Sequence, residues 1–254
     1  MIGEFAFQLI GARWSGIRLL AGAIAANPRC TVSADGKLAN FLTGKAAAPA
    51  ENEPDAEKRT KHRIDDFQKA CWQKAGEAPG LKWGHQTMTE DIGRLLDAAG
   101  ATSSAIDGGN LPGRGSFNAV DYFVCRCLRV PAIVIVRDGR AVIPALMKHD
   151  QLTTAAAVAR WKFSIHLLKR VVYFTKRCSV VRFEDLARDP KSTMEEVSAF
   201  LGLSYDDAMI KSLLPEAKNK ALKDIDPHVL SQRTANEPWV AEIVRELEVC
   251  GYLE

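Results

Sequence analysis

The 254-residue sequence contains no run approaching the roughly 18 consecutive apolar residues of a membrane-spanning helix, so no transmembrane segment is expected. It also lacks an excess of either charge. Its 34 basic and 31 acidic residues leave a net +3, too little by itself to indicate the concentrated basic face of a nucleic-acid binder. C-x-x-C pairs and zinc-type spacings are missing: of Cys30, Cys71, Cys125, Cys127, Cys178 and Cys250, only Cys125 and Cys127 lie close together. Reduced, mostly buried thiols and no bound metal are the expectation. No basic region precedes the first apolar run, which Glu4, Arg13 and Arg18 interrupt, so it does not read as a secretory signal. No internal repeat is visible. These absences leave a cytoplasmic protein, and a hydrophobic fraction of 47% supports a real core in a single domain over residues 1–254.

What is present centres on Phe5 to Ala26, FAFQLIGARWSGIRLLAGAIAA. A short apolar strand ends at Gly11, a loop closes at Gly16, and helix formers follow from Ile17. A strand feeding a glycine-bounded loop at a helix N-terminus is a ready anion site. Arg18 falls in the first helical turn, where the helix dipole opposes a cation by roughly 0.3–1 kcal/mol. With Arg13 and Ser15 beside it, the pattern makes sense if an anion binds there. The Gly11-x-x-x-x-Gly16 spacing opens like a Walker-type P-loop, yet Ile17-Arg18 stands where Lys-Ser/Thr belongs. That disfavours an ordinary ATPase or GTPase, whose terminal-phosphate lysine and magnesium-binding hydroxyl are absent.

Further along, Ala46 to Lys61 is polar and aperiodic and reads as an exposed mobile segment (46–61). Arg63 to Ala75 reads as a helix with Ile64, Phe67, Cys71 and Trp72 on one face. Leu81 to Thr87 precedes a helix bearing Ile92, Leu95 and Leu96, so His85 and Gln86 are expected where strand hands over to helix. Residues 101–115, rich in Gly, Ser and Asn, read as a loop or inserted lid. Pro131 to Val136, PAIVIV, is the strongest strand and is expected to be central. Arg137-Asp138-Gly139-Arg140 follows it, and ligands in parallel sheets bind beyond the carboxyl ends of strands. Ala155 to Phe174 reads as a helix with Val158, Trp161, Ile165, Leu168 and Val172 inward. Ser179 to Phe183 reads as a strand. A helix begins near Asp189-Pro190 through an N-cap and a Ser192-x-x-Glu195 capping box, and Gly202 stops it. A last helix runs from Trp239 to Cys250. The alternation predicts an α/β fold with a central parallel sheet between helices.

These blocks together resemble the sulfotransferases whose donor is 3′-phosphoadenosine 5′-phosphosulfate (PAPS). GARWSGIRLL (11–20) looks like the family loop G-x-x-R-S-G-T-T-L-L, and AIVIVRDGRAV (132–142) is similar to F-I-x-I-V-R-D-P-R-A-V. RFEDLARDPKSTMEEVSAFLGL (182–203) is close to R-x-E-D-L-x-x-D-P-x(8)-F-L-G-L, and Trp83 to Thr87 looks like W-G-D-K-T-P. The resemblance implies a three-layer, P-loop-NTPase-like fold and transfer of a sulfuryl group to a hydroxyl or amine of a small-molecule, glycan or lipid acceptor. It implies no metal. It places the 5′-phosphosulfate among Arg13, Trp14, Ser15, Gly16, Ile17, Arg18 and Leu19, and the 3′-phosphate on Arg137. Ala145 stands at the family's serine position eight residues later.

Several of those positions depart from the family. Trp14 replaces a basic residue, Ile17 and Arg18 replace two threonines, and Gln86 replaces the lysine. Gly139 replaces a proline, while Pro144 is expected to kink the following helix. Catalytic roles are expected for Arg18, on the leaving oxygens, and for His85 as general base, with Glu90 as its substitute. A nucleotide binder of the same fold without turnover is the alternative.

Overall fold

Five parallel strands form the middle layer: β1 (Glu4–Gly11), β2 (Cys30–Ser33), β3 (Lys82–Met88), β4 (Ala132–Val136) and β5 (Cys178–Arg182), in the order β2-β3-β1-β4-β5. The computed structural model describes residues 4–34, 36–43, 55–98, 119–127, 129–175, 177–217 and 227–253. The segment 101–115 lies outside them. β4 is buried throughout, as its β-branched run predicts. It is interior rather than central: β1 holds the middle, pairing with β3 on one side and β4 on the other. The chain leaves β1 in one direction and returns on the other, so the Gly11 end of β1 lies at the switch point where α/β sheets hold ligands.

Helices cover both faces. One face packs α1 (Ile17–Ala25) with α8 (Phe183–Arg188), α9 (Pro190–Leu201) and α10 (Asp207–Ala217), around Phe7, Leu9, Leu20, Ile133 and Ile135. The other packs α3 (Ala56–Gly76), α4 (Thr89–Ala98), α5 (Ala119–Cys127), α6 (Gly139–His149), α7 (Thr154–Phe174) and α12 (Val240–Val249) around Phe67, Val134, Trp161 and Ile243. Two further helices are α2 (Gly36–Thr43) and α11 (Pro227–Thr234). This is the expected α/β/α arrangement. No helix among the described residues is long and apolar enough to cross a membrane.

Several local expectations need correction. Residues 56–61 belong to α3, not to an exposed segment: Asp55 accepts the Glu57 and Lys58 N–H groups as N-cap, and Glu57 pairs with Lys61 one turn on. Trp72 is 45% exposed, because the buried stripe of α3 runs through Ile64, Phe67, Cys71 and Ala75. In α7 the inward residue of the last turn is Val171, and Val172 faces out. Phe183 opens α8 instead of ending β5. Asp189 alone caps α9, accepting the Ser192 N–H at 3.0 Å with Pro190 in the first turn, so Ser192 lies inside the helix. α6 continues as one helix across Pro144. All six cysteines are free; burial pushes the Cys30 thiol up to about 12.

Candidate functional site

The loop from Ala12 to Gly16 is built by close contacts that few other residues would allow. A Cβ on Gly11 would lie 2.6 Å from Ile135 Cγ2, and one on Gly16 would lie 2.2 Å from Phe183 Cδ2. Gly16 also has φ 88, the left-handed conformation that ends the loop and starts α1. Ser15 is buried, with its hydroxyl donating to the Ala12 carbonyl at 2.7 Å. Gly16 brings no side chain to cap α1, so the first-turn N–H groups have no side-chain acceptor. Ile17 and Leu19 turn their side chains into the apolar layer beneath, and only their backbone can serve a ligand at the loop. Arg18 is exposed, and its side chain makes no hydrogen bond or ion pair with another described residue.

Four groups brace the loop from outside. The Arg13 N–H donates to Glu90 Oε1 at 3.0 Å, from the first turn of α4. Arg13's guanidinium turns to Asp150 at 3.3 Å, which Arg160 also approaches at 3.7 Å. Trp14, at φ 65, stacks on His149 with centroids 4.7 Å apart. Its carbonyl accepts Arg137 Nη1 at 2.9 Å. Arg137 also lies 4.2 Å over the Phe183 ring, and burial lowers its pKa from the usual guanidinium value. Loop and RDGR turn, 123 residues apart in sequence, are thus in direct contact.

Arg137 also opens onto a cavity of about 610 Å³ between α6 and α11, whose wall includes Pro144, Lys148, Arg233, Glu237 and Trp239. Arg137, Lys148 and Arg233 bring positive charge to that wall, as does Arg140, which is paired with Asp138, and this suits an anionic ligand of nucleotide size. Ala145 is not in that wall; Ala141, Pro144 and Lys148 form the lining stripe of α6.

His85 does not lie at a strand-to-helix handover. β3 runs on to Met88, and alternation turns Trp83, His85 and Thr87 toward the α3 layer. His85 is 1% exposed, edge-on to Phe67 at 5.2 Å. Thr87 donates to Gln8 Oε1 at 3.0 Å and therefore accepts from His85 Nδ1, also at 3.0 Å. Gln86 points to the opposite face, against Met88. The carboxylate that reaches the loop backbone is Glu90. Burial raises its pKa from the ordinary glutamate value, opposed by the N–H of Arg13, the hydroxyl of Thr89 and the charge of Arg160. Perturbed carboxyls in clefts are acid–base candidates. Among the described residues no cluster of His, Cys, Asp or Glu is arranged to hold a metal ion.

Sequence reasoning did not foresee a buried pair behind Arg137. Glu184 accepts the Asp138 N–H at 3.0 Å on one oxygen and the Tyr252 hydroxyl at 2.8 Å on the other. Only the R-F-E-D and Gly-Tyr motifs, 68 residues apart, could have signalled it.

Residues 131–207 match the model of the sulfotransferase family, which covers β4, the RDGR turn and α9. The resemblance read from the sequence is borne out. No curated protein matches the chain. Among solved structures it is similar to the sulfotransferase domain of the Synechococcus PCC 7002 olefin synthase, with TM-score 0.62, 17% identity and coverage of 98% of this chain and 95% of that one. The sulfotransferase domain from the curacin biosynthetic pathway gives TM-score 0.62, 12% identity and 98% coverage of both chains. A sulfotransferase from Alicyclobacillus acidocaldarius gives 0.52 and 16%, covering 100% of this chain and 98% of that one. At these identities the likeness is one of fold: the P-loop-NTPase-like sheet of the sulfotransferases.

Proposed function

We propose that the chain, acting as one domain, transfers a sulfuryl group from PAPS to a hydroxyl or amine of a small-molecule, glycan or lipid acceptor. The observation that carries this reading is the contact of Arg137 with the Trp14 carbonyl, which joins the loop at the helix N-terminus to a basic cavity. A donor with anionic groups at both ends of a nucleoside suits that arrangement. The 5′-phosphosulfate would lie on the N–H groups of Gly16 to Leu19, and the 3′-phosphate beside Arg137, with Lys148 and Arg233 further along the cavity.

Sulfuryl transfer, like phosphoryl transfer, is an in-line displacement in which the protein mainly positions the reactants and stabilises charge on oxygen. The uncapped amides and Arg18 would stabilise charge on the leaving oxygens. Glu90 replaces His85 as the general base in this reading, because it touches the loop while His85 is enclosed by Trp83 and Phe67. The acceptor O–H or N–H would lose its proton to a Glu90 oxygen as its lone pair attacks sulfur. Arg13 is tied to Asp150, so its contribution is its backbone N–H and not its guanidinium.

One observation favours the binding-only alternative. Gln86, at the family's lysine position, points toward Met88, and the lysine of that strand, Lys82, lies at its other end and donates to the Leu201 carbonyl. Incubation with donor labelled in the sulfuryl group, against a panel of alcohols, phenols and amines, separates the two. Label transfer supports the enzyme; tight binding of adenosine 3′,5′-bisphosphate without transfer to any acceptor supports the binder.

A further inference from the structure

The turn at Gly251 and Tyr252 is packed into the back of the proposed donor site. Gly251 adopts φ 70 and directs the chain over the ends of β4 and β5. There the Gly251 carbonyl accepts Arg182 Nη2 at 2.8 Å, and the Tyr252 carbonyl accepts Arg140 Nη2 at 3.3 Å. Arg182 also lies 4.5 Å over the Tyr252 ring. Arg140 is held by a buried pair with Asp138, whose oxygens it meets at 2.6 to 3.1 Å. The tyrosine hydroxyl ends on Glu184, whose other oxygen takes the N–H of Asp138, the residue next to Arg137.

We infer that Tyr252 is a positioning residue for the anion site, acting through Glu184 on Arg137 and through Arg137 on the loop. Glu184 is buried, so its carboxyl depends on the hydrogen bonds it accepts. The Tyr252 hydroxyl supplies one of these bonds, beside those from the Asp138 N–H and Glu184's own N–H, and the Glu184 charge also acts on Arg137. Without that hydroxyl, a carboxylate oxygen is left buried and unpartnered, and Glu184 turns or protonates. Either response loosens the Asp138 N–H at the start of α6 and changes the field that orients Arg137. Arg137 then braces the Trp14 carbonyl less firmly, and the backbone amides that face the ligand lose their fixed geometry.

This inference rests on the proposed donor, so its test has one arm that uses nucleotides and one that does not. Calorimetry compares adenosine 3′,5′-bisphosphate with AMP on the wild type and on Y252F, which keeps the ring and removes only the hydroxyl. The preference for the bisphosphate should shrink about tenfold, because Arg137 meets the 3′-phosphate and a charged hydrogen bond stands behind it. E184Q, which keeps an acceptor for the Asp138 N–H, should shrink it as well. In the second arm, the Arg13 and Ser15 amides, bonded to Glu90 and to the Ala12 carbonyl, should exchange hydrogen faster in Y252F while β1 and α1 are unchanged. An unchanged nucleotide ratio with unchanged loop exchange overturns the inference. A loss of affinity for both nucleotides alike, together with a lower melting temperature and unchanged loop exchange, overturns it too by making Tyr252 merely structural. If the wild type shows no preference between the nucleotides, the 3′-phosphate reading fails, and loop exchange alone then decides: faster exchange in Y252F supports the inference, and unchanged exchange refutes it.

Discussion

Replacing Glu90 by Gln separates its two roles at the loop. Glu90 Oε1 accepts the Arg13 N–H at 3.0 Å, and the Thr89 hydroxyl approaches Oε2 at 3.2 Å. Glutamine keeps an oxygen for the first contact, so the loop should keep its shape. It cannot take a proton at neutral pH. Turnover in E90Q should therefore fall by about 10²–10⁴-fold while affinity for the bisphosphate stays close to wild type. Stability should move the other way. Burial outweighs the hydrogen bonds to Glu90 and holds its carboxyl above the ordinary value. Between the unfolded and folded values the native chain binds the extra proton, so stability declines as pH rises through that interval. E90Q removes this decline and should melt no lower than wild type at pH 7 to 8. The wild-type pH–rate curve should carry an acid limb above the usual glutamate range, and E90Q should lose it. Turnover measured against pH, with calorimetry alongside, checks all of this. Full activity in E90Q would refute Glu90 as the base.

Three other substitutions follow from the same geometry. H85A should lower stability, by about 1–3 kcal/mol for the lost buried hydrogen bonds, and leave the turnover of the folded fraction near wild type; a selective loss of turnover at unchanged stability would return the base role to His85. G16A forces a Cβ to 2.2 Å from Phe183 at φ 88, a strain of about 1–3 kcal/mol, and should lower the melting temperature by several degrees in differential scanning calorimetry. R18A should leave the apo protein's melting point unchanged or slightly raised, because a first-turn cation is unfavourable without an anion, and should weaken bisphosphate binding.

The parts of the fold that were legible in the sequence are those with one dominant local cause. β4 is a run of buried β-branched residues, and the Gly11–Gly16 loop is bounded by glycines whose Cβ positions are blocked by Ile135 and Phe183. His85 was misplaced because polar residues near a strand's end read as its exit. Here Gln8, on the neighbouring strand, gives Thr87 a partner, and Thr87 in turn accepts from His85, so three polar residues remain inside the sheet. The α3 N-terminus was missed because its polar composition hid a single decisive cap, Asp55. Glu184 and Tyr252 were out of reach for another reason: their bond spans 68 residues and follows only from the way α12 returns the chain over the ends of β4 and β5.

The central claim, a donor held between the loop and Arg137, is tested most directly by titrating the wild type and R137A with adenosine 3′,5′-bisphosphate and with AMP. A charged hydrogen bond contributes about 1.5–3 kcal/mol, so the bisphosphate should bind the wild type at least about tenfold more tightly than AMP, and R137A should lose that preference, its AMP affinity falling less than its bisphosphate affinity. Equal binding of the two nucleotides by the wild type, or a preference that survives in R137A, would contradict it.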